Sequence, residues 1–523
     1  MSGLLFKDAQ PAATSSPNRA DVVCFIGFVG RRATPLSSRL KSWLQDQGWR
    51  PRGTLVPDFD PLFNTPVPLE SFEAFDRLFE WETRPPQPHA FSYTTWLGAA
   101  VRSFFRQGGA RCHVVRIDNP VTYKTLAISA SAAEKAAFVA SQQVRLNQLL
   151  PGFVGGTETP TPADPATWKG LGVLLGLDEA AFVCLPDLPE LVADTALEPA
   201  GLAPVEPGPE VFVDYTPEVV LPKDEVRQIS SSPACTEAGY LTWRRAVRYA
   251  ASFIRDRRRD VELVLTLPLP SPDLTRNYTS NLDLASGVLG LGKTLDENDG
   301  IASAFLQLAY PWVLTPGAEA LPGGLEPPDG VFSGVLARAI PELGIAHSVG
   351  RQFLHGVHGF EPKLTGSDLE LDTPKTGAPA LIYRVSLLGQ TPDGNRVLSD
   401  VTTSKSETHR PAPVGRLTAA ILRTSRHLGE SVTFEPAGTA LWEKIRAQLE
   451  RLLGDFYAAG ALLGTSTEEA YSVRCDESTT NQNDIDNGRV IAEVRFAPAH
   501  PVGLITVILS LREGTVTAVG SPA

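Results

Sequence analysis

Short continuous apolar runs alternate along this chain with stretches where apolar residues return every three or four positions. The run DVVCFIGFVG at 21–30 is rich in β-branched residues and predicts a buried strand. Residues 31–66 are rich in Arg, Pro, Gly and Asp and read as a long loop or insertion. Ser71 then serves as the N-cap of a helix that places Phe72, Phe75, Leu78 and Phe79 on one face. A second helix is expected from about Tyr93 to Arg106. Its buried stripe is Trp96, Leu97, Val101, Phe104 and Phe105, and Gly108 and Gly109 stop it. The run CHVVRI at 112–117 follows as a strand. Strand, helix, helix, strand is the order of an α/β layer.

Residues 123–150 are Ala-rich and predict a helix, whereas 151–170 and 186–232 are rich in Pro, Thr, Gly and Glu and predict loops around the short strand AFVCLP. A long helix from Glu237 to Arg257 leads into the strand VELVLTLPLP. Residues 361–412 are polar and turn-rich. From Thr439 the spacing of Leu441, Ile445, Leu449, Leu452 and Phe456 predicts an amphipathic helix. Strands are expected at EEAYSVRCD, RVIAEVRFAP and GLITVILSLRE, the last pairing either within its own domain or with a neighbour. No internal repeat stands out.

A length of 523 residues suggests two or three domains, and 42% hydrophobic with 20% charged residues suggests packed cores. The net charge of −12 argues against a nucleic-acid binder, which needs surplus Lys and Arg to neutralise phosphates. The opening residues MSGLLFKDAQP have no basic start followed by a long apolar stretch, so the expectation is a chain made in the cytoplasm without a secretory leader. No apolar run approaches the ~18 residues of a membrane span. The five cysteines, Cys24, Cys112, Cys184, Cys235 and Cys475, are far apart and are expected as buried thiols.

One motif has the form of a phosphate-binding loop: GVLGLGKT, Gly287–Thr294, matches G-x-x-x-x-G-K-[ST] in full. Its context argues against that chemistry. RNYTSNLDLAS precedes it where a buried strand is needed, and LDENDG follows where a helix should run. His347, His355 and His358 do not have the spacing of a helical metal pair. Asp484 and Asp486 lack the ligand order of a calcium loop and read as a solvated turn. Arg257, Arg258 and Arg259 suit the dipole at a helix C-terminus better than an anion site. No G-x-S-x-G elbow is present. The expectation is a protein without catalytic residues, metal or cofactor.

A set of segments, in order, resembles the contractile tail sheath family of phage tails and phage-tail-like injection systems. VPLESFEAFDRLFE and FSYTTWLGAAVRSFFRQGGARCHVVRI are similar to its "SFxxFxxLF", "AVRxFFxxGG" and "CxVVRV" elements. SAFLQLAYPWV and EPPDGVFSGVLAR are similar to its "YPW" and "PPSGxxAGxxAR" segments. VTFEPAGTALWEKIRAQLERLL and EEAYSVRCDESTTNQNDIDNGRVIAEVRFAPAHP are similar to its C-terminal domain, with FEPA in place of FEPN. The "PGVYxxE" arm and "WGARTL" segment have no clear counterpart, which leaves a specialised adaptor near the baseplate or sheath end as an alternative to the main subunit.

The resemblance implies a multidomain α/β and α+β fold. It divides into an N-terminal arm (1–20), an outer α/β domain (21–345) with insertions near 31–66 and 151–232, an inner C-terminal α+β domain (346–500) and a C-terminal arm (501–523). The arms would add strands to neighbouring subunits, through Leu4, Leu5 and Phe6 at one end and Leu504, Ile505, Val507 and Ile508 at the other. The polar face carrying Glu443, Lys444, Arg446, Glu450 and Arg451 is read either as the surface that meets an inner tube or as a plain solvated face. The implied partners are further copies in hexameric rings or a helix, the tube protein, and baseplate and terminator or cap proteins, with no nucleic acid and no membrane insertion. A P-loop ATPase is the remaining, enzymatic alternative.

Overall fold

Strand β1 (Val23–Gly27) is buried at every position within an eight-stranded sheet, as an uninterrupted apolar run requires of a strand covered on both faces. The computed structural model describes residues 19–84, 94–120, 131–155, 159–194, 232–271, 301–364, 369, 381–432, 435, 438–487, 489–500, 505–512 and 515–520. The sheet continues with β2 (Val67–Leu69), β3 (Cys112–Arg116), β4 (Phe182–Cys184), β5 (Glu262–Thr266), β6 (Leu306–Tyr310), β7 (Ser386–Thr391) and β8 (Gly394–Val397). Across the sheet the order is β8-β7-β6-β5-β4-β1-β3-β2. The six inner strands run parallel, and β2 and β8 close the edges antiparallel. Val23 lies opposite both Cys112 and Phe182.

Alternate residues of β1 enter two separate cores. Cys24 and Ile26 pack with α4 (Ala132–Leu149) and α5 (Glu237–Arg257) on one face. Val23 and Phe25 pack on the other with α1 (Ser38–Asp46), α2 (Phe72–Leu78), α3 (Trp96–Arg106) and α6 (Asp329–Leu343). Ser71 caps α2 by accepting from the Ala74 amide at 3.2 Å, and Thr95 caps α3 by accepting from Gly98 at 3.1 Å. Gly108 follows α3 at φ +100°, a conformation that a side chain disfavours, and so ends it. Helices α3 and α6 touch backbone to backbone. A Cβ on Gly330 would lie 2.5 Å from Ala100 Cα, and one on Gly334 would lie 2.7 Å from the Phe104 carbonyl.

The 31–66 segment is not only loop. Ser37 caps α1 by accepting from Leu40 at 3.2 Å, and Leu40 and Leu44, one turn apart, are buried. The polar 361–412 stretch contains the β7–β8 hairpin, which extends the main sheet beyond residue 346. A third core lies mainly C-terminal to that hairpin. Helices α7 (Ala412–Val432) and α8 (Thr439–Ala458) cover one face of a second, antiparallel sheet. That sheet has the order β9 (Tyr471–Arg474), β10 (Arg489–Phe496), β11 (Ile505–Arg512), β12 (Thr515–Gly520). Strand β12 adds to the elements expected from the apolar pattern. Among the described residues no helix is long and apolar enough to cross a membrane.

Candidate assembly surface

Helix α7 joins the two halves of the molecule through three arginines. Arg416 forms a bidentate pair with Asp400 at 3.0 and 2.8 Å and also donates to the His347 carbonyl at 2.9 Å. Asp400 accepts further bonds from the Val349 amide at 2.9 Å and from Gln307 Nε2 at 3.0 Å. Burial alone would raise the Asp400 pKa, but Arg416 and these donors hold it below the ordinary carboxylate value. Two turns on, the buried Arg423 donates to the backbone carbonyls of Asp260 at 2.7 Å and Arg19 at 2.8 Å. Arg426 reaches Asp178 at 2.7 Å and Asp260 at 3.6 Å. Arg258, at the end of α5, is buried and bidentate with Asp260 at 2.9 and 3.0 Å. It stands at the C-cap of the helix and also belongs to this junction. Gly415 leaves the space that the junction requires, since a Cβ there would meet Glu262 Oε1 at 2.6 Å.

Beyond the junction, β10 alternates buried and half-buried residues along its whole length. Val490, Ala492, Val494 and Phe496 face the helices, and Ile505, Val507 and Leu509 of β11 join them in the same core. Of the C-terminal arm candidates, Ile505 and Val507 are therefore core residues, while Ile508 is half-buried and stands opposite Glu493. Strand β11 pairs antiparallel with β10 on one side and β12 on the other, so both of its edges are filled from its own chain. The edges of this sheet are β9 and β12. Leu504, Leu4, Leu5 and Phe6 lie outside the described residues.

Five of the six charged residues of α8 share an exposed face. Glu443, Lys444, Arg446, Glu450 and Arg451 are all exposed, while Leu441, Ile445, Leu449 and Leu453 are buried beneath them. Lys444 pairs with Glu435, and Arg446 lies 3.9 Å from Glu450.

The remaining candidates take ordinary structural places. Gly287–Thr294 lies outside the described residues. The ring nitrogens of His355 lie 3.1 and 3.3 Å from Arg338 Nη1. Asp484 closes a capping box with Asn481 and pairs with Arg489 at 3.1 Å, and Asp486 accepts from Gln482 at 2.8 Å. All five cysteines are buried and unpaired.

No protein-family model and no curated protein matches the chain. Its fold is nevertheless that of known solved structures. It superposes on a chain from the cryo-EM structure of the anti-feeding prophage (AFP) baseplate in contracted state with a TM-score of 0.55 at 17% identity, covering 96% of this chain and 95% of that one. It superposes on the PVC sheath complex of an extracellular contractile injection system in contracted state with a TM-score of 0.52 at 14% identity, covering 96% and 94%. For the AFP helical sheath in contracted state the TM-score is 0.50 at 17% identity, covering 96% of each chain. The chain has the contractile-sheath fold from its first described strand to its C-terminal sheet.

Proposed function

We propose that this chain is a structural subunit of a contractile sheath, packed in rings or a helix around an inner tube and joined at its ends to baseplate and cap proteins. The observation that carries the reading is the extent of the fold match: it takes in both halves of the molecule and not one shared layer. Residues 21–345 with the β7–β8 hairpin form the outer part, and the α7–α8 core with its sheet forms the inner part. The exposed face of α8 meets the tube. Neighbouring copies are linked by strand addition at the open edges β9 and β12, where unpaired backbone groups accept another strand. The N-terminal stretch Ser2–Gln10 supplies one arm.

Contraction is then a rigid-body change between two packings of the subunits, with the driving energy stored at assembly and no nucleotide consumed. Electron microscopy of the chain co-expressed with a tube protein tests the reading. Long striated tubes are expected; isolated monomers at high concentration would overturn it. Closed rings would favour an end-of-sheath adaptor, a reading that the self-filled edges of β11 also support. Charge reversal across Glu443, Lys444, Arg446, Glu450 and Arg451 should weaken co-purification of the tube, and unchanged co-purification would remove the tube-facing assignment.

A further inference from the structure

A groove of about 360 Å³ opens between α6, α7 and α8 at the point where the described chain begins. Ile340, Ile345, Leu452 and Phe456 give it an apolar wall, and the exposed carboxylate of Asp455 lies beside them. Ile345, Leu452 and Phe456 are only half-buried, so the wall retains apolar surface that a ligand would remove from water. Arg19, Ala20 and Asp21 line the same groove. They are pinned there, because Arg423 donates to the Arg19 carbonyl at 2.8 Å and the Arg19 guanidinium pairs with Asp21 at 2.6 Å.

The chain that precedes Arg19 has the chemistry to fill this groove. Its one compact apolar stretch is Leu4-Leu5-Phe6, followed directly by Lys7. Three apolar side chains suit a wall of Ile, Leu and Phe, and the Lys7 cation complements Asp455. Residues 7–18 intervene between Phe6 and Arg19, a tether of up to roughly 40 Å at full extension. A short tether anchored inside the groove presents its own segment at an effective concentration on the order of millimolar, far above that of a second copy in dilute solution.

We propose that in the subunit before assembly Leu4–Phe6 of the same chain occupies this groove, so that the arm is stored on its own subunit until a neighbour takes it. This rests on the sheath reading above for the arm's later role. The docking itself is read independently of assembly.

The test introduces a single reporter, Leu452→Cys, into the full-length chain, whose natural cysteines are buried. It follows modification by a thiol reagent under native conditions. Replacing Leu4, Leu5 and Phe6 together by Ser should speed labelling about tenfold, as expected when a segment that fills the groove about nine-tenths of the time is removed. A second reporter, Ile345→Cys, should show the same acceleration if the first disturbs packing. Equal rates with and without the triple substitution at both reporters would overturn the proposal. So would protection that grows with subunit concentration, which would assign the groove to another copy's segment. Tube assembly is scored separately on the triple variant. Tubes lost with labelling unchanged would keep the arm and discard the groove docking. Faster labelling with tubes intact would keep the docking and discard the arm.

Discussion

Glu262 opens β5 inside the junction, and neither of its carboxylate oxygens has a hydrogen-bond partner among the described atoms. Burial pushes its pKa up to about 8; Arg416 opposes the rise, Asp400 adds to it and Arg423 opposes it. The ordinary value is 4.5, so between the two the folded chain keeps a proton that the unfolded chain has released. Stability from this residue is therefore highest at and below the lower value and falls as pH rises towards the upper one. Glu262→Gln should flatten that slope and raise the melting temperature near pH 8.5, by an amount corresponding to on the order of a few kcal/mol. Thermal melts of the parent and variant between pH 5 and 8.5 check this. Curves that stay parallel across the range would show that Glu262 does not retain its proton. Asp400, a short distance away, titrates with the opposite sign. Its pKa is depressed, so its contribution is present at neutral pH and is lost only on acidification.

At the scale of elements, α7 adds a set of buried arginine contacts to its apolar stripe of Val414, Leu417, Ile421 and Leu428. Truncating one partner leaves the other charge buried without compensation. Arg416→Met should therefore cost about 3–5 kcal/mol, while Asp400→Leu combined with Arg416→Met should cost much less than the two single changes added. Denaturant titrations of the four proteins in the cycle measure the difference, and additive single effects would show that the pair is uncoupled. The same chemistry explains what the sequence pattern could and could not reveal. Helices α5 and α8 and strands β1 and β10 were legible because their buried positions are apolar at one period throughout. In α7, Arg416, Arg423 and Ser425 are buried among the apolar positions and interrupt the stripe. Helix α6 is buried from Asp329 to Ala337 on every side, so it has no polar face to set a period. Helix α1 has only Leu40 and Leu44 buried, amid Arg, Ser and Gln. The β7–β8 hairpin turns at TPDG, a turn signal, but Gly389, Gln390 and Asn395 dilute the strands on either side. The junction was illegible for a related reason: beyond the local Arg258–Asp260 pair, Asp260 meets Arg423 and Arg426, and Asp400 meets Gln307, only when distant segments come together.

For the whole molecule, the position of β11 changes what an arm can be. The sequence pattern leaves the last strand to pair either within its own domain or with a neighbour, and Ile505, Val507 and Leu509 complete the same core as Val490, Val494 and Phe496. An arm role for this region then requires the β11–β12 hairpin to leave one sheet and enter the equivalent place in another copy, an exchange of identical elements between subunits. The two ends of the chain should therefore behave differently when removed. Deleting residues 501–523 strips Ile505, Val507 and Leu509, each contributing roughly 1.5–3 kcal/mol, from the C-terminal core. It also uncovers the length of β10 as a new edge. The expected product is a subunit whose C-terminal half melts early, is cut readily by protease and aggregates. Deleting residues 2–10 removes no side chain of the three cores as they are formed by the described residues. That variant should lose only the ~1.4 kcal/mol that a groove filled nine-tenths of the time contributes, melt slightly below the parent, and fail in forming tubes. Differential scanning calorimetry of the two variants beside microscopy separates these outcomes. If the C-terminal deletion melts like the parent in the monomeric state, the hairpin does not close its own sheet before assembly, and the strand is free to be donated from the start.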